Sequence, residues 1–348
     1  MTTGMLCESL VWQERDKMTK RAPRNRTLIC SESEQEYYAE SLLSLSAPAT
    51  AGDVEDRIIN QNVFEVLPFL PTSFVDLLVL DPPYNLTKDY HGTVFRSRDA
   101  EQYKVWFTDV VARLLPCLKP NATVYVCSDW RTSALVFPIL DGYFQVRNRI
   151  TWEREKGRGA KTNWKNNSED IWFCTVSDEY CFNVDDVKLK RRVIAPYRSA
   201  DGKPKDWEEE TNGNYRLTHP SNLWSDITVP FWSMPENTDH PTQKPEKLIA
   251  RLILASSMPG DMVLDPFLGS GTTAVVARKL DRRFCGIELN HEYCCWAAKR
   301  LARAADDKGI QGYADGVFWE RNTLNDQKPA TRKEVATAEQ PMLELFHG

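Results

Sequence analysis

The chain has 348 residues, of which 42% are hydrophobic and 27% are charged, and its formal net charge is −5. These values are ordinary for a globular protein that buries a large core, and no apolar run is long enough to cross a bilayer. Nine cysteines without a Cys-x-x-Cys pair argue against a zinc site and for free, mostly buried thiols in a reducing cytosol. The N-terminus lacks the apolar core of a secretory signal, so we expect a cytoplasmic protein without a membrane partner.

The first segment, residues 1–52, is rich in Ser, Glu and Arg and lacks sustained hydrophobic periodicity. It is predicted to be a weakly ordered N-terminal extension with one short helix at Glu36–Leu45. Residues 53–152 are predicted to form the first half of the folded domain, with a helical turn at Val63–Leu67.

The most informative motif, Asp81-Pro82-Pro83-Tyr84, directly follows the apolar run Val75–Leu80. That run is predicted to be a buried strand, and ligands of open α/β sheets bind beyond the carboxyl ends of such strands. The motif suits chemistry on the amino group of a planar base. The Asp81 carboxylate and the Pro82 carbonyl can each accept one amino N–H, both prolines fix the backbone, and Tyr84 can stack on the ring. An ordinary proline-rich turn is the alternative.

The elements that follow alternate between helix and strand. A polar loop at Thr87–Asp99 is predicted either to close over a substrate or to be a mobile surface loop. The remaining predictions, in chain order, are a helix at Glu101–Leu118, a strand at Ala122–Cys127, a helix at Thr132–Leu140, and strands at Phe144–Trp152 and Ile171–Val176.

Residues 153–240 interrupt this alternation with a long irregular stretch, which argues for an inserted module with one core strand near residues 171–176. The stretch interleaves basic residues with aromatic ones. This pattern suits phosphate neutralisation and base stacking, although the net charge of the whole chain is negative. A solvated, mobile loop region is the alternative. The candidate substrate contacts in this stretch are Lys156, Arg158 and Lys161.

Residues 241–305 carry the second motif. The apolar strand Met262–Phe267 leads into the glycine loop Leu268–Thr273, which precedes a helix at Ala274–Leu280 and a strand at Arg283–Asn290. Strand, glycine turn, helix and a strand ending in an acid form a nucleotide-binding half of a doubly wound sheet. The acid, Glu288, suits the ribose hydroxyls of an adenosine. The same glycine spacing also fits a dinucleotide, so the cofactor stays open at this point.

The chain turns polar again beyond these elements, and residues 306–348 are predicted to form a C-terminal tail, in which residues 322–337 are expected to be disordered. Its ending, residues 340–346, is more apolar than its surroundings and is similar to short peptides that dock in the bacterial replication sliding clamp. A frayed amphipathic tail is the alternative.

Together, the motifs resemble those of amino-group DNA methyltransferases of the permuted beta class. In that class the Asp-Pro-Pro-Tyr motif precedes the target-recognition region and the cofactor loop comes last, which is the order found here. The segment His240–Leu248 resembles the family segment that contacts the methionine end of the cofactor. The resemblance covers residues 55–303. It implies a doubly wound, Rossmann-like α/β sheet with an inserted target-recognition region, S-adenosylmethionine as cofactor and double-stranded DNA as substrate, and homodimers are common in the family.

The resemblance also implies roles for individual residues. Asp81, Pro82, Pro83 and Tyr84 form the catalytic motif, and Trp152 matches a family position on the opposite side of the base pocket. No metal is implied. The implied cofactor contacts are Asp265, Pro266, Phe267, Gly269, Ser270, Gly271, Thr272, Glu288, Thr242 and Lys244.

The first residue of the catalytic motif bears on the substrate. In the family, Asp is commonest in adenine enzymes and Ser in enzymes that act on cytosine, so Asp81 favours the N6 amino group of an adenine flipped out of the duplex. Three alternatives remain: a cytosine-N4 methyltransferase of the same fold, a dehydrogenase that uses the glycine loop, and a DNA-binding protein without activity. The dehydrogenase would leave Asp81–Tyr84 without a role.

Overall fold

A central eight-stranded sheet and a smaller five-stranded sheet organise the chain. The structure, a computed structural model, describes residues 22–90, 93–154, 161–193, 197–210, 213–321 and 323. Its strands are β1 Arg57–Asn60, β2 Val75–Leu80, β3 Lys88–Tyr90, β4 Thr93–Phe95, β5 Leu118–Ser128, β6 Gln145–Glu153, β7 Ser168–Thr175, β8 Leu189–Arg192, β9 Glu208–Glu210, β10 Gly213–Thr218, β11 Leu223–Trp224, β12 Met262–Asp265, β13 Arg283–Glu288, β14 Tyr313–Ala314 and β15 Val317–Trp319.

The α-helices of the described residues lie on both sides of the central sheet. They are α1 Glu32–Ala39, α2 Ala51–Val54, α3 Val63–Val66, α4 Ala100–Leu114, α5 Trp130–Tyr143, α6 Glu246–Ser256, α7 Thr272–Lys279 and α8 His291–Asp306. Helices α6, α7 and α8 bury their apolar side chains in one hydrophobic cluster, and α4 and α5 bury theirs in another. The hydrophobic effect therefore holds a three-layer α/β sandwich.

The central sheet has the strand order β1-β13-β12-β2-β5-β7-β6-β11. The first five strands in this order are parallel, whereas β7 runs antiparallel to both of its neighbours. This topology confirms the predicted doubly wound α/β class. It also places the carboxyl ends of β2, β12 and β13 side by side at one edge.

Three acids lie together at that edge because their strands are aligned: Asp81 follows β2, Asp265 ends β12 and Glu288 ends β13. Leu78 of β2 pairs with Leu264 of β12, and the last residue of β12, Asp265, pairs with Gly286 of β13. Asp81 therefore follows β2 next to the glycine loop after β12, although most of the domain separates the two motifs in sequence.

Residues 22–52 differ from the predicted loose extension, because they pack on the domain. Leu28 and Cys30 are buried against Tyr293 and Trp296 of α8. The helix in this segment is α1, which begins four residues earlier than predicted. Its start is set by a capping box: the Ser31 hydroxyl accepts from the Glu34 N–H, and the Glu34 carboxylate accepts from the Ser31 N–H.

The second sheet has the order β14-β15-β8-β10-β9 and joins two regions that were predicted to be separate. Strands β8 to β10 come from the predicted recognition insertion, whereas β14 and β15 come from the predicted C-terminal tail. Phe318 and Trp319 of β15 are buried, which explains why residues 313–319 are ordered. The segment predicted to dock in a sliding clamp, residues 340–346, lies outside the described residues.

The helix predicted at Glu101–Leu118 is shorter in the structure. It ends at Leu114, a 3₁₀ turn follows at Leu115–Cys117, and β5 begins directly at Leu118. Pro116 lies in that turn and has no N–H for an α-helical hydrogen bond, which explains the change.

No helix among the described residues is long and apolar enough to cross a membrane. The described cysteines form no disulfide, and seven of the eight are buried. In the same part of the chain, no cluster of three His, Cys, Asp or Glu side chains has an arrangement that would hold a metal ion.

A buried ion cluster fastens the second sheet to the central domain. Asp226 of the insertion accepts hydrogen bonds from both guanidinium N–H₂ groups of Arg251, at 3.1 and 2.7 Å, and lies 2.6 Å from Lys247 Nζ. Lys247 also donates to the Trp319 carbonyl of β15. The two positive charges hold the pKa of Asp226 below its ordinary value, although burial opposes them.

We expect Asp226→Asn to lower the free energy of unfolding by about 3–5 kcal/mol, because it leaves a buried Lys247–Arg251 pair without its counter-charge. Denaturant unfolding measures the change. The matched control is Asp109→Asn, which removes an exposed pair with Arg113 and should cost no more than about 0.5 kcal/mol. Equal losses in the two variants would contradict a fastening role for the Asp226 cluster.

Candidate active site

A cleft with a volume of about 430 Å³ opens at the edge where the three acid-ended strands meet. This volume lies within the range of small-molecule sites. Both predicted motifs contribute to its wall. The predicted site residues that line the cleft are Asp81, Pro82, Pro83, Tyr84, Thr242, Lys244, Pro266, Phe267, Gly269 and Glu288.

The other predicted cofactor residues lie directly behind this wall. Asp265, Ser270 and Thr272 line a small adjoining cavity of about 30 Å³, which also touches Asp81 and Gly269. Gly271 instead packs against α8, where a Cβ atom would lie 2.4 Å from the Cβ of Ala297. Its role is therefore to permit close packing of the loop on the helix.

Of the predicted substrate contacts, the two that the structure describes, Trp152 and Lys161, do not line the cleft. Trp152 is 1% exposed and its indole N–H donates to the Ile227 carbonyl at 3.1 Å, so the structure places it in the core and not in the wall of a base pocket. The large apolar area of the ring explains this position. Lys161 is exposed, and Lys156 and Arg158 lie outside the described residues.

The catalytic turn is held by neighbouring side chains. The hydroxyl of the buried Tyr103 donates to the Pro83 carbonyl at 3.1 Å. Asn85 exchanges two hydrogen bonds with the backbone of Arg98, at 2.9 and 2.8 Å, and its own N–H donates to Thr132 Oγ1. These contacts fix the direction in which the turn leaves β2.

The polar loop predicted at Thr87–Asp99 contains the β3–β4 hairpin, and its end forms one wall of the cleft. The Arg98 guanidinium lies 5.5 Å from the ring centres of both Phe95 and Trp106, and the Trp106 ring contacts Phe267. These flat surfaces give the cleft an aromatic side next to the glycine loop.

Four charged groups and a phenol form a compact cluster at the catalytic turn. Lys244 Nζ lies 2.8 and 2.7 Å from the two carboxylate oxygens of Asp81 and 3.3 Å from Glu169 Oε2. The Tyr84 hydroxyl lies 3.1 Å from Asp81 Oδ1, from Glu169 Oε2 and from Lys244 Nζ. Arg154 pairs with the other oxygen of Glu169. The two carboxylates, Asp81 and Glu169, are thus balanced by the two cationic side chains, Lys244 and Arg154.

The environment shifts the ionisation of each member. Burial raises the pKa of Asp81, with the Lys244 charge opposing it. Despite its burial, Lys244 has a pKa above its ordinary value, because Asp81 and Glu169 stabilise the ammonium. Glu169, although buried, has a lowered pKa because Lys244 and Arg154 stabilise its charge. Burial also raises the pKa of Tyr84. Lys244 and Glu169 are therefore charged at neutral pH.

The glycine loop is fixed by Glu288, the acid that ends β13. Its two oxygens accept hydrogen bonds from the Gly269 N–H at 2.8 Å and the Asn290 N–H at 2.7 Å. Gly269 and Gly271 have φ angles of +55° and +86°, a region that favours glycine. The loop thus offers bare backbone beside a carboxylate, an arrangement that fits the ribose and methionine ends of an adenosine cofactor.

Asp265 supports the loop from within. Its oxygens accept hydrogen bonds from Thr273 Oγ1 at 2.6 Å and from the Phe267 N–H at 3.0 Å. Burial raises the pKa of Asp265 to about 7. On the other side, Arg300 of α8 donates to the Ser270 carbonyl at 2.9 Å and to Thr272 Oγ1 at 3.1 Å.

Sequence reasoning missed Glu169 and did not predict that Lys244 contacts Asp81. Glu169 is the second residue of β7. Because β7 runs antiparallel to β5, its start lies beside the end of β5, where Ser128 pairs with Asp170. The available signal was an acid two residues before the predicted strand Ile171–Val176. That signal becomes usable only once the strand direction is known.

Comparison with known proteins decides the family. The family model described as DNA methylase matches residues 75–299, which cover both motifs and the region between them. The chain belongs to the DNA methylase family. This family methylates exocyclic amino groups of DNA bases, adenine N6 or cytosine N4, and its methyl donor is S-adenosylmethionine.

Several proteins resemble this DNA methylase over most of their length. The type II methyltransferase M.HpaI of Haemophilus parainfluenzae is 34% identical over 286 residues, which cover 81% of this chain and 84% of the relative. The DNA adenine methyltransferase YhdJ of Escherichia coli (strain K12) is 32% identical over 262 residues, which cover 73% and 85%. Among solved structures, the cytosine-N4-specific PvuII DNA methyltransferase shares the fold, with a TM-score of 0.52, 18% identity and coverage of 78% and 93%.

Proposed function

We propose that this DNA methylase transfers a methyl group from S-adenosylmethionine to the N6 amino group of an adenine that has been flipped out of double-stranded DNA. One observation carries the proposal: the Asp81 carboxylate and the glycine loop at Gly269 line the same cleft. An acceptor for an amino group and a backbone cradle for the methyl donor thus lie next to each other. By analogy with the relatives named type II methyltransferases, we also propose that the enzyme is site-specific and acts beside a restriction nuclease.

The choice of adenine rests on the catalytic motif. Its first residue is Asp81, the residue commonest in adenine enzymes, and a relative that is 32% identical is named a DNA adenine methyltransferase. A cytosine-N4 enzyme is the alternative within the same fold. Because the DNA of a bacterium lies in its cytoplasm, we propose a cytoplasmic location.

The chemistry of the amino group sets the task of the catalytic turn. The lone pair of that nitrogen is delocalised into the ring, so the amino group must become more tetrahedral before it can attack. Asp81 and the Pro82 carbonyl accept its two N–H groups, and the Asp81 carboxylate stabilises the positive charge that grows on the nitrogen. Tyr84 offers the ring on which the base stacks.

The cofactor supplies an electrophilic methyl group on a sulfonium. The loop residues Gly269 to Thr272, with Glu288, would hold the donor, and Thr242 would contact its methionine end. Because the two motifs share one cleft, they align donor and acceptor, and alignment of this kind accounts for much of an enzymatic acceleration. The exposed Lys161 lies in the insertion that would contact the DNA backbone.

The purified protein tests the proposal directly. We expect unmethylated plasmid DNA, incubated with the protein and S-adenosylmethionine, to contain N6-methyladenine when its nucleosides are analysed by mass spectrometry. If the product is N4-methylcytosine instead, the target base of the enzyme is cytosine and not adenine. Sequencing of the marked DNA then gives the recognition site. The proposal would be overturned if the DNA contains no methylated base although calorimetry shows that the protein binds S-adenosylmethionine.

A further inference from the structure

The ammonium of Lys244 holds the acceptor that the base requires. Its Nζ lies 2.8 and 2.7 Å from the two oxygens of Asp81, and the Lys244 side chain is only 6% exposed. The amino group of a flipped base must donate to the same carboxylate. While this ion pair is closed, the base therefore competes with a charge-assisted hydrogen bond.

An ammonium in this position would also oppose the reaction itself. Positive charge grows on the amino nitrogen during methyl transfer, and two like charges that share one carboxylate repel each other in a site of low dielectric constant. The Lys244 ammonium must therefore leave Asp81 before the methyl group is transferred, and it needs another acceptor inside the protein because it is buried.

Glu169 is that second acceptor. Its Oε2 lies 3.3 Å from Lys244 Nζ, its side chain is 2% exposed, and Arg154 holds its other oxygen in place. The Tyr84 hydroxyl lies 3.1 Å from both carboxylates and bridges them. The ammonium can thus pass from one carboxylate to the other without entering water.

The backbone of Lys244 is anchored, so the exchange involves the side chain alone. Thr272 Oγ1, at the end of the glycine loop, donates to the Lys244 carbonyl at 3.1 Å. The residue that begins α7 therefore fixes the point from which the Lys244 side chain extends toward the two acids.

We propose that Lys244 exchanges between two carboxylates, closing on Asp81 while the base pocket is empty and moving to Glu169 when the amino group of the base binds Asp81. Glu169 is then a positioning residue that acts through Lys244. This inference rests on the proposed amino-methyl transfer and adds to it the step that frees the acceptor.

The test is a double-mutant cycle with Glu169→Gln and Lys244→Met on a duplex that carries the mapped site. In Glu169→Gln the ammonium has only Asp81 as a charged partner, so kcat/KM should fall roughly 10–100-fold, the equivalent of a lost hydrogen bond to a charged group. Removing the ammonium should restore activity. The double variant is therefore expected to be at least tenfold more active than Glu169→Gln alone, a rescue that a merely structural role would not give.

A measurement without cofactor checks the same exchange. With 2-aminopurine placed beside the target adenine, Lys244→Met should raise the fluorescence of this probe above that seen with the wild type. Asp81 is then free to bind the amino group of the adenine, and extrusion of the adenine unstacks the neighbouring probe. The matched control is Asp170→Asn, which neutralises the neighbouring buried acid that accepts from Thr151. Asp170→Asn should leave both kcat/KM and the fluorescence near their wild-type values.

The outcomes separate the two proposals. A double variant no more active than Glu169→Gln, or unchanged fluorescence in Lys244→Met, would overturn the exchange while wild-type methylation of the same duplex upholds the proposed function. An inactive wild type would overturn both. Thermal unfolding of each variant shows whether it folds, and if Glu169→Gln does not fold, the fluorescence of Lys244→Met alone decides.

Discussion

Asp81→Ala is expected to lower the rate of DNA methylation by about a thousandfold or more, with binding of DNA and of S-adenosylmethionine changed by less than about threefold. The carboxylate stabilises the charge that develops in the transition state, so its loss falls mainly on kcat, while phosphate contacts supply most of the affinity for DNA. The buried Lys244 keeps Glu169 as a partner, so the fold should persist. Single-turnover methylation, a DNA titration and calorimetry measure the three quantities.

Asp81→Asn is the control for this prediction, because it keeps an acceptor oxygen and removes the charge. Its rate should lie between those of the wild type and Asp81→Ala. Methylation near the wild-type rate in Asp81→Ala would rule out the proposed mechanism. Loss of DNA binding together with activity would assign Asp81 to substrate binding and not to catalysis.

Gly271→Ala is expected to weaken S-adenosylmethionine binding about tenfold or more and to lower the midpoint of thermal unfolding. The new Cβ would lie 2.4 Å from the Cβ and 2.8 Å from the Cα of Ala297 on α8. Since the backbone of α8 is part of the clash, the glycine loop must move away from the helix, at a cost of about 1–3 kcal/mol. The φ angle of +86° adds about 1–2 kcal/mol of strain for any residue with a side chain.

The chain offers a matched control for this effect in Gly260. It has a φ of +88°, close to that of Gly271, but a Cβ there would meet no atom within 4 Å. Gly260→Ala should therefore show the strain without the clash, with cofactor affinity unchanged by calorimetry. Equal cofactor affinities in the two variants would contradict the conclusion that packing against α8 shapes the loop.

Local sequence was sufficient for the elements that carry the chemistry. The strand predicted at Val75–Leu80 coincides with β2, and the strand, glycine turn, helix and strand at residues 262–290 correspond to β12, α7 and β13. Each has a strong local cause, namely a continuous apolar run or a backbone conformation that favours glycine. Predictions were less accurate for elements whose formation depends on contacts with residues far away in the sequence. The predicted C-terminal tail contains β14 and β15, which the sequence did not indicate, since β15 pairs with β8 and β8 lies far away in the sequence.

The sequence by itself determined the two motifs, their order and the α/β class, since residue type and period act over a few neighbouring positions. Only the tertiary structure decided which side chains meet. The contact between Lys244 and Asp81 spans 163 positions, and Glu169 reaches them because β7 runs against its neighbours. Trp152 lies in the core for the same kind of reason, since its surroundings come from Ile227 and other remote residues. Strand direction and long-range burial depend on the free energy of the whole fold, which no local pattern contains.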